Sequence, residues 1–501
     1  MEGFALIAGG FASALTWSKL GYCFFGVMMG MLMGVLPGIG AMATIAMLLP
    51  ITFYVPPDSG LIMLAGIYYG AQYGGSVSSI LLNLPGTPSS AIICLDGYPM
   101  KQQGRAGSAI FLTTIASFVG SLIAIALLIV AAPSVARLAL KFGAADYFSL
   151  MIVGLVTAAS LTRFGIARGL AMSTLGLALG LIGTDVATGT FRYTFGHMQL
   201  ADGLSVVAMA MGLFGVSEII HMVGSRGARQ GTVEKIKMRD LLPTKAELKQ
   251  TPGPIARGGI LGAIVGALPG TGASIGAFMA YGLEKRTSRT PEKFGTGHVP
   301  GIVAPEAANN SAAQASFIPT LTLGVPGDPV LALMMTALII HGIQPGPTMI
   351  VEHPEIYWSL VASFVIGNVI LLILNLPMIG IWVRLLQIPY RLLFPAIITL
   401  ICIGVFAVGN SSFHVLQVVV FGIIGYGMRL VRLEPAPVLL GFVLGPMVEE
   451  NFRRALQLSR GDLMTFVERP VSCLMLTFAA LIIGYSLWIS RKSAVQKRTP
   501  S

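Results

Sequence analysis

YYGAQYGGSVSSILLNLPGTPSS, residues Tyr68–Ser90, decides how this chain of 501 residues is read. No Asp, Glu, Lys or Arg occurs between Lys19 and Asp58, or between Asp58 and Asp96, so the stretch suits a membrane. Yet it is crowded with Gly, Pro, Ser, Thr and Asn, which a plain spanning helix does not need. In hydrocarbon every backbone N–H and C=O must be paired, so irregular backbone survives only where protein buries it or a cavity borders it. The stretch is therefore expected to form a solute site at mid-membrane depth, with the earlier cluster GVLPGIG, Gly34–Gly40, beside it.

Both clusters return in the second half. Gly34–Gly40 reappears as GALPGTG at Gly266–Gly272, 232 positions later, and LPGTP at Leu84–Pro88 reappears as VPGDP at Val325–Pro329, 241 positions later. On the second offset Tyr68-Tyr69-Gly70 falls on Asn309-Asn310-Ser311, and Ser79 falls on Thr320. The charged insert Glu284–His298 absorbs the difference between the two offsets. Two different Pro-Gly anchors in the same order predict two repeats, each contributing a re-entrant hairpin and a discontinuous helix.

The composition fits this reading. The chain is 54% hydrophobic and 11% charged, against about 25% charged in a soluble domain, and its mean hydropathy is +0.80. The charge-free runs Ala106–Ala136, Ala307–Gly327, Val330–Val351, Ile356–Val383 and Val471–Ser490 compare with the roughly 20 apolar residues that cross a bilayer. An all-α polytopic membrane protein follows. Its 61 glycines suit close helix packing and broken helices. The net charge of +11 is not a nucleic-acid signature, because the basic residues lie between apolar segments and follow the positive-inside bias. Cys23, Cys94, Cys402 and Cys473 lie scattered in apolar sequence without CxxC spacing, and read as small core residues. The start, MEGFALIAGG, lacks the basic region of a cleaved signal peptide, so the first apolar segment is expected to be retained.

Loop charges suggest an orientation. Arg226, Arg229, Lys235, Lys237, Arg239, Lys245, Lys249 and Arg257 outnumber the acids in Gly224–Arg257, which is read as a cytoplasmic linker. Lys285, Arg286, Arg289 and Lys293 place Glu284–His298 on the same side. Gly258–Gly282 then cannot cross. With Pro269–Gly272 near its centre, it leaves arms of about eleven residues, or about 16 Å each, which fits a re-entrant hairpin. Thr52–Ser59 and Gly342–Glu355 lack Lys and Arg, while their counterparts Glu284–His298 and Asp96–Arg105 carry them, as inverted orientation requires. The expected organisation is a first membrane repeat over 1–223, the linker over 224–257, a second repeat over 258–490 and a basic cytoplasmic tail over 491–501.

A transporter can hold an anion with dipoles rather than a costly buried charge. Half-helix N-termini offer N–H groups to carboxylate, while unwound carbonyls and side-chain oxygens offer ligands to Na⁺. Candidate solute-binding residues are Gly38, Gly40, Ser76, Ser78, Ser79, Asn83, Gly86, Thr87 and Ser89 in the first repeat. In the second they are Gly270, Thr271, Gly272, Ser274, Asn309, Asn310, Ser311, Gln314, Thr320, Thr322 and Gly327. Candidates for a cation, Na⁺ or H⁺, are Pro37, Asn83, Pro85, Pro269, Pro326 and Asp328. For each single Gly or Ser, close packing is the competing explanation. Glu306 and Asp96 are, with Asp328, carboxylates beside the clusters that can bind a proton or Na⁺; a loop or interface charge is the better reading for Asp96 and an equal one for Glu306 and Asp328, and His341 reads as interfacial. Gly272–Gly276 matches the G-x-S-x-G of serine hydrolases, but its counterpart at Gly40–Thr44 has Met42 in the nucleophile position and no His/Asp pair accompanies it. P-loop, HExxH and metal-ligand clusters are absent from the sequence.

GVLPGIG, YYGAQYGGSVSSILLNLPGTPSSAIICLDGYP, APEAANNSAAQASFIPTLTLGVPGDPVLALMM and PAPVLLGFVLGPMVEENFRRAL together resemble the large membrane subunit of tripartite tricarboxylate transporters, the TctA type. The likeness extends over essentially the whole chain, with signature segments at Gly34–Gly40, Tyr68–Pro99, Pro305–Pro329 and Pro435–Ala455. It implies a multi-pass protein of the bacterial inner membrane with roughly twelve membrane segments. The resemblance also implies a small membrane subunit of TctB type and a periplasmic solute-binding protein of TctC type. Uptake of an organic acid, a tricarboxylate or another carboxylate, would be driven by an ion gradient rather than ATP; Na⁺ is the expected coupling ion, with H⁺ as the alternative, and no cofactor is expected. The rival readings are a carboxylate channel, a membrane-embedded hydrolase and a non-transporting sensor.

Overall fold

The sequence interruptions become helix interruptions in a computed structural model, which describes residues 2–36, 40–52, 54–160, 162, 165–185, 188–224, 238–385 and 390–496. Pro37 and Gly38, with Arg226, Arg229, Lys235 and Lys237 of the linker and Lys497 and Arg498 of the tail, lie outside the described residues. The first half runs through α1 (Glu2–Ala14), α2 (Trp17–Val35), α3 (Gly40–Thr52), α4 (Pro57–Leu82), a 3₁₀ turn (Pro88–Ile93), α5 (Cys94–Gln102) and α6 (Ala106–Ala139). Next come α7 (Ala144–Ser160), α8 (Ile166–Gly180), a small hairpin of β1 (Gly183–Thr184) and β2 (Phe191–Arg192), α9 (Val206–Ala210), a π turn (Met211–Val216) and α10 (Ser217–Gly224). The second half begins with α11 (Lys245–Lys249), α12 (Pro252–Gly266), α13 (Gly272–Thr287), α14 (Pro300–Ala315), α15 (Phe317–Leu323) and α16 (Pro329–Ile340). It closes with α17 (Pro347–Glu352), α18 (Pro354–Asn375), α19 (Ile379–Leu385), α20 (Tyr390–Gly409), α21 (Ser412–Leu430), α22 (Pro435–Leu458), α23 (Thr465–Glu468) and α24 (Pro470–Gln496).

Among the described residues, six helical runs are long and apolar enough to cross a membrane: α2, α6, the run from α9 to α10, α18, α21 and α24. Five shorter apolar helices, α3, α7, α8, α16 and most of α20, accompany them. α4 is absent from both groups, because Gly, Ser, Gln and Tyr dilute its hydropathy. Nevertheless every residue from Ser59 to Leu81 is buried, and so is every residue of α14. A helix enclosed on all sides lies at the centre of its assembly. Two helices rich in Gly, Ser, Asn, Gln and Tyr are thus the innermost ones.

Glycine ridges bring their neighbours in. On α2, Gly26, Gly30 and Gly34 sit against the carbonyls of Met63, Ile67 and Ala71 of α4 so closely that any Cβ would overlap them. On α12, Gly258, Gly262 and Gly266 sit in the same way against Ala304, Ala308 and Ala312 of α14. The glycines are 232 positions apart and the carbonyls 241, the two offsets between the Pro-Gly anchors. Four-residue spacing of small residues allows backbone-to-backbone approach where lipid supplies no hydrophobic drive.

The breaks also match. α4 ends at Asn83 and α15 at Gly324, each left-handed, with φ of 58° and 69°; this is the conformation that closes a helix, and Gly and Asn adopt it most readily. The next helices are capped by Thr87, which forms a capping box with Ser90, and by Asp328, whose Oδ1 accepts the Leu331 N–H at 2.9 Å. α14 and α15 part at Ser316, where Pro319 has no N–H to give to the preceding turn.

Several expectations change in detail. Asp96–Arg105, expected as a polar loop, is mostly α5. The hairpin arms α12 and α13 have 15 and 16 residues instead of eleven, because both helices extend into the charged flanks. There Arg257 of α12 grips Glu284 of α13 through Nε and Nη2 at 3.0 and 2.7 Å, tying the open ends of the two arms together.

Candidate functional site

Across the centre, α4 faces α14 and α16. Tyr68 donates its hydroxyl hydrogen to Asp328 Oδ2, with both residues buried, so the carboxylate that caps α16 is also held by the first half. Two turns along α4, Ser76 donates to Glu306 Oε2 at 2.6 Å. Glu306 Oε1 accepts from Ser117 of α6 at 2.7 Å and from Asn310 Nδ2 at 2.9 Å. Asn310 Nδ2 also lies 2.8 Å from Ser117 Oγ. Between these two carboxylates, Tyr73 reaches Asn368 of α18 at 3.1 Å.

The first Pro-Gly loop folds back onto α4. Gln72 Oε1 accepts from Ser89 at 2.7 Å and from Thr87 at 3.4 Å, while Thr87 and Ser89 share a hydrogen bond of 3.0 Å. Ser79 donates to the carbonyls of Gly75 and Ser90, and Ser78 to that of Gly75. In the second half Gly327 N–H donates to Thr320 Oγ1 at 3.0 Å, and Thr320 donates to Ser316 O. Asn309 and Gln314 differ from all of these. Each is fully buried on α14, and neither atom of either amide has a partner. Buried polar groups are almost always satisfied, so such exceptions need a reason.

The candidates divide accordingly. Ser76, Thr87, Ser89, Asn309, Asn310, Gln314 and Asp328 belong to the buried polar interior on or between α4 and α14. Ser311 is spent on the Gly259 carbonyl of α12, Thr322 on its own helix, and Thr271 on the carbonyls of Val265 in α12 and of Leu268 just beyond it. Asn83 and Pro85 are exposed, at the end of α4 and just after it. Gly40 lies 3.7 Å from the Gly86 carbonyl, counting from the position of a Cβ, and Gly272 3.3 Å from Asp328 Cβ, so each hairpin tip abuts its own Pro-Gly loop. Gly270 approaches Gly154 of α7, Ser274 is partly exposed on α13, and Pro269 and Pro326 are buried. Gly86 packs on the Gly34 carbonyl and Gly327 on Ser316, so close approach by itself demands glycine at both.

Tyr68, Gln72 and Ser117 join this interior without being among the candidate residues, and Glu306 is expected only as a carboxylate able to bind a proton or Na⁺. Tyr68 and Gln72 are one helical turn apart inside the opening stretch and were within reach of its period. Ser117 sits in a charge-free run, where Thr113, Ser117 and Ser121 at four-residue spacing mark one polar face of the helix.

Away from this interior, Asp96 joins the halves at another level. Fully buried, its Oδ1 accepts the N–H groups of Gly295, Gly297 and His298 at 2.8–2.9 Å, and Oδ2 accepts the Tyr281 hydroxyl at 3.0 Å. Gln103 and Arg105 hold the carbonyls of Thr296 and Gly297, and Arg105 also pairs with Glu247 at 2.6 Å. Burial pushes the Glu247 carboxyl up, but the Thr244 N–H, the Arg105 guanidinium and the Thr244 hydroxyl together hold it below its usual range. Burial holds the His298 imidazole below its usual value, against the pull of Asp96. Asp96 is an interface charge, as its sequence position suggested.

Comparison with known proteins adds a family. Residues 20–440 match the one described as the tripartite tricarboxylate transporter TctA family. The chain is 48% identical over 488 residues, 97% of each sequence, to an Agrobacterium vitis protein described as an uncharacterized 52.8 kDa protein in the TAR-I ttuC′ 3′ region. A second Agrobacterium vitis protein, described as uncharacterized and in the TAR-II ttuC′ 3′ region, is 48% identical over 232 residues, 46% of this chain and 96% of its own length. No solved structure matches.

Proposed function

The chain belongs to the tripartite tricarboxylate transporter TctA family, and from that premise we propose that it is the large transmembrane subunit of a binding-protein-dependent secondary transporter. It imports a tricarboxylate or another organic acid, and an inward gradient of Na⁺ drives the uptake. The family is one of transporters and not of enzymes, so the hydrolase motif at Gly272–Gly276 carries no catalysis. Membership also implies a tripartite system. The partners are a small membrane subunit of TctB type and a periplasmic binding protein of TctC type, and the assembly lies in the bacterial inner membrane.

The observation that carries this reading is the meeting of two enclosed, interrupted helices at one polar interior, with Tyr68 of one half holding Asp328 of the other. A plain bundle has no reason to enclose uncharged polar side chains at its centre, whereas a carrier needs polar groups reachable from alternate sides. The solute carboxylates meet Thr87, Ser89 and the unpartnered amides of Asn309 and Gln314, beside the start of the 3₁₀ turn at Pro88 and of α16. The two halves are inverted repeats, with α2–α3 and α12–α13 as re-entrant hairpins. The equal offsets of glycine ridges, left-handed ends and caps support this arrangement.

The test is uptake of a panel of labelled carboxylates into proteoliposomes holding both membrane subunits, with and without the binding protein and with and without an inward Na⁺ gradient. Accumulation of one carboxylate that needs both is expected. Equilibration without either would overturn the reading in favour of a carboxylate channel.

A further inference from the structure

Glu306 is the most demanding residue of the interior. It is fully buried in the middle of an enclosed helix, and among the described residues no cation pairs with it. Its carboxylate receives only neutral donors: Ser76 Oγ at 2.6 Å, Ser117 Oγ at 2.7 Å and Asn310 Nδ2 at 2.9 Å. A buried carboxylate is retained when it is paired or holds a cation. Asn310 adds a second anomaly, because its Oδ1 is buried without a partner one helical turn from that carboxylate.

We propose that Glu306, Ser76, Ser117 and Asn310 form the binding site of the coupling sodium ion, at the seam where α4, α6 and α14 meet. The proposal rests on the transport reading above and supplies its ion site. Two carboxylate oxygens, two hydroxyl oxygens and the Asn310 carbonyl oxygen make a set composed wholly of hard donors, which suits a hard cation and no soft metal. The hydroxyl hydrogens rotate aside to admit the ion, and the Asn310 amide turns its oxygen inward. A proton on Glu306 would donate to the same turned Asn310 oxygen, so sodium and proton are distinguished by binding and by the driving gradient, not by a count of hydrogen bonds. Ser76 comes from the first half and Glu306 from the second, so occupancy joins the halves. Asn309 and Gln314, on the same α14, place solute and ion on one helix.

Binding of ²²Na⁺ to the purified full-length chain, in choline buffer, tests this. Saturable binding is expected for the wild type and none for Glu306→Gln, while Ser117→Ala raises half-saturation by about tenfold, the usual effect of degrading a metal site. Wild-type binding by a monodisperse Glu306→Gln protein would overturn the site. If that variant is not monodisperse, unchanged half-saturation in both Ser117→Ala and Ser76→Ala overturns it instead. Sodium-driven uptake that survives Glu306→Gln sinks the site and spares the transport reading; a wild type with neither sodium binding nor sodium-driven uptake sinks that reading itself. Proton-driven uptake abolished by Glu306→Gln overturns the sodium assignment.

Discussion

Four hydrogen bonds converge on Asp96, three of them from backbone N–H groups of one short segment of the second half. Removing the carboxylate leaves those donors buried and unpaired, and hydrogen bonds to charged acceptors are the costly ones to lose. Asp96→Ala is therefore expected to lower stability by about 3 kcal/mol, read as thermal melting in detergent. Asp96→Asn should cost much less, because its amide oxygen still accepts the three N–H groups and its NH₂ turns to the Tyr281 hydroxyl. Equal melting of the two variants would remove Asp96 from its bridging role. Residues of the polar interior behave differently. Tyr68 and Asp328 satisfy each other and need no ligand, while Asn309 and Gln314 lack any partner. That contrast separates polar groups the fold satisfies from polar groups it leaves unpartnered, and residue type alone does not reveal it.

Helices α2 and α12 owe their position to one face of glycine each. A Cβ on Gly30 would overlap the Ile67 carbonyl, and one on Gly262 the Ala308 carbonyl, both parts of rigid helices that cannot yield locally. Gly30→Val and Gly262→Val are expected to destabilise the protein by about 2 kcal/mol or more. Gly9→Ala, with nothing within 4 Å of a new Cβ, should leave melting within about 0.5 kcal/mol of wild type. If Gly262→Val melts like Gly9→Ala, the ridge is not what brings α12 to α14. The same close contact explains why α12 is longer than its apolar core. Once seated on α14 the helix gains packing along its whole length and runs on to Arg257, where Glu284 waits on α13.

For the whole molecule, the pairing of Arg257 with Glu284 holds the open ends of α12 and α13 side by side, which supports the re-entrant reading of that hairpin. Ala256→Cys and Thr287→Cys, each in an otherwise cysteine-free chain, should be labelled by an impermeant maleimide from the same face of the membrane. Labelling from opposite faces would turn the hairpin into a crossing and undo the inverted arrangement. Sequence determined the class of the protein by itself, because charge-free runs and misplaced Pro, Gly and Ser report directly on what hydrocarbon tolerates. Repeat offsets were legible too, since Pro-Gly breaks and left-handed caps are local backbone demands that a residue type must meet in place. Only the tertiary structure decided which polar residues face one another. Ser117 shares a face of α6 with Thr113 and Ser121, but its partner follows only from α6 laying that face against α14, next to Glu306. Ser311 and Thr271, as polar as any of the site in sequence, are consumed by carbonyls of α12. Such partnerships are set by the rotation and depth of packed helices, which depend on contacts hundreds of residues apart and leave no trace in any single stretch of chain.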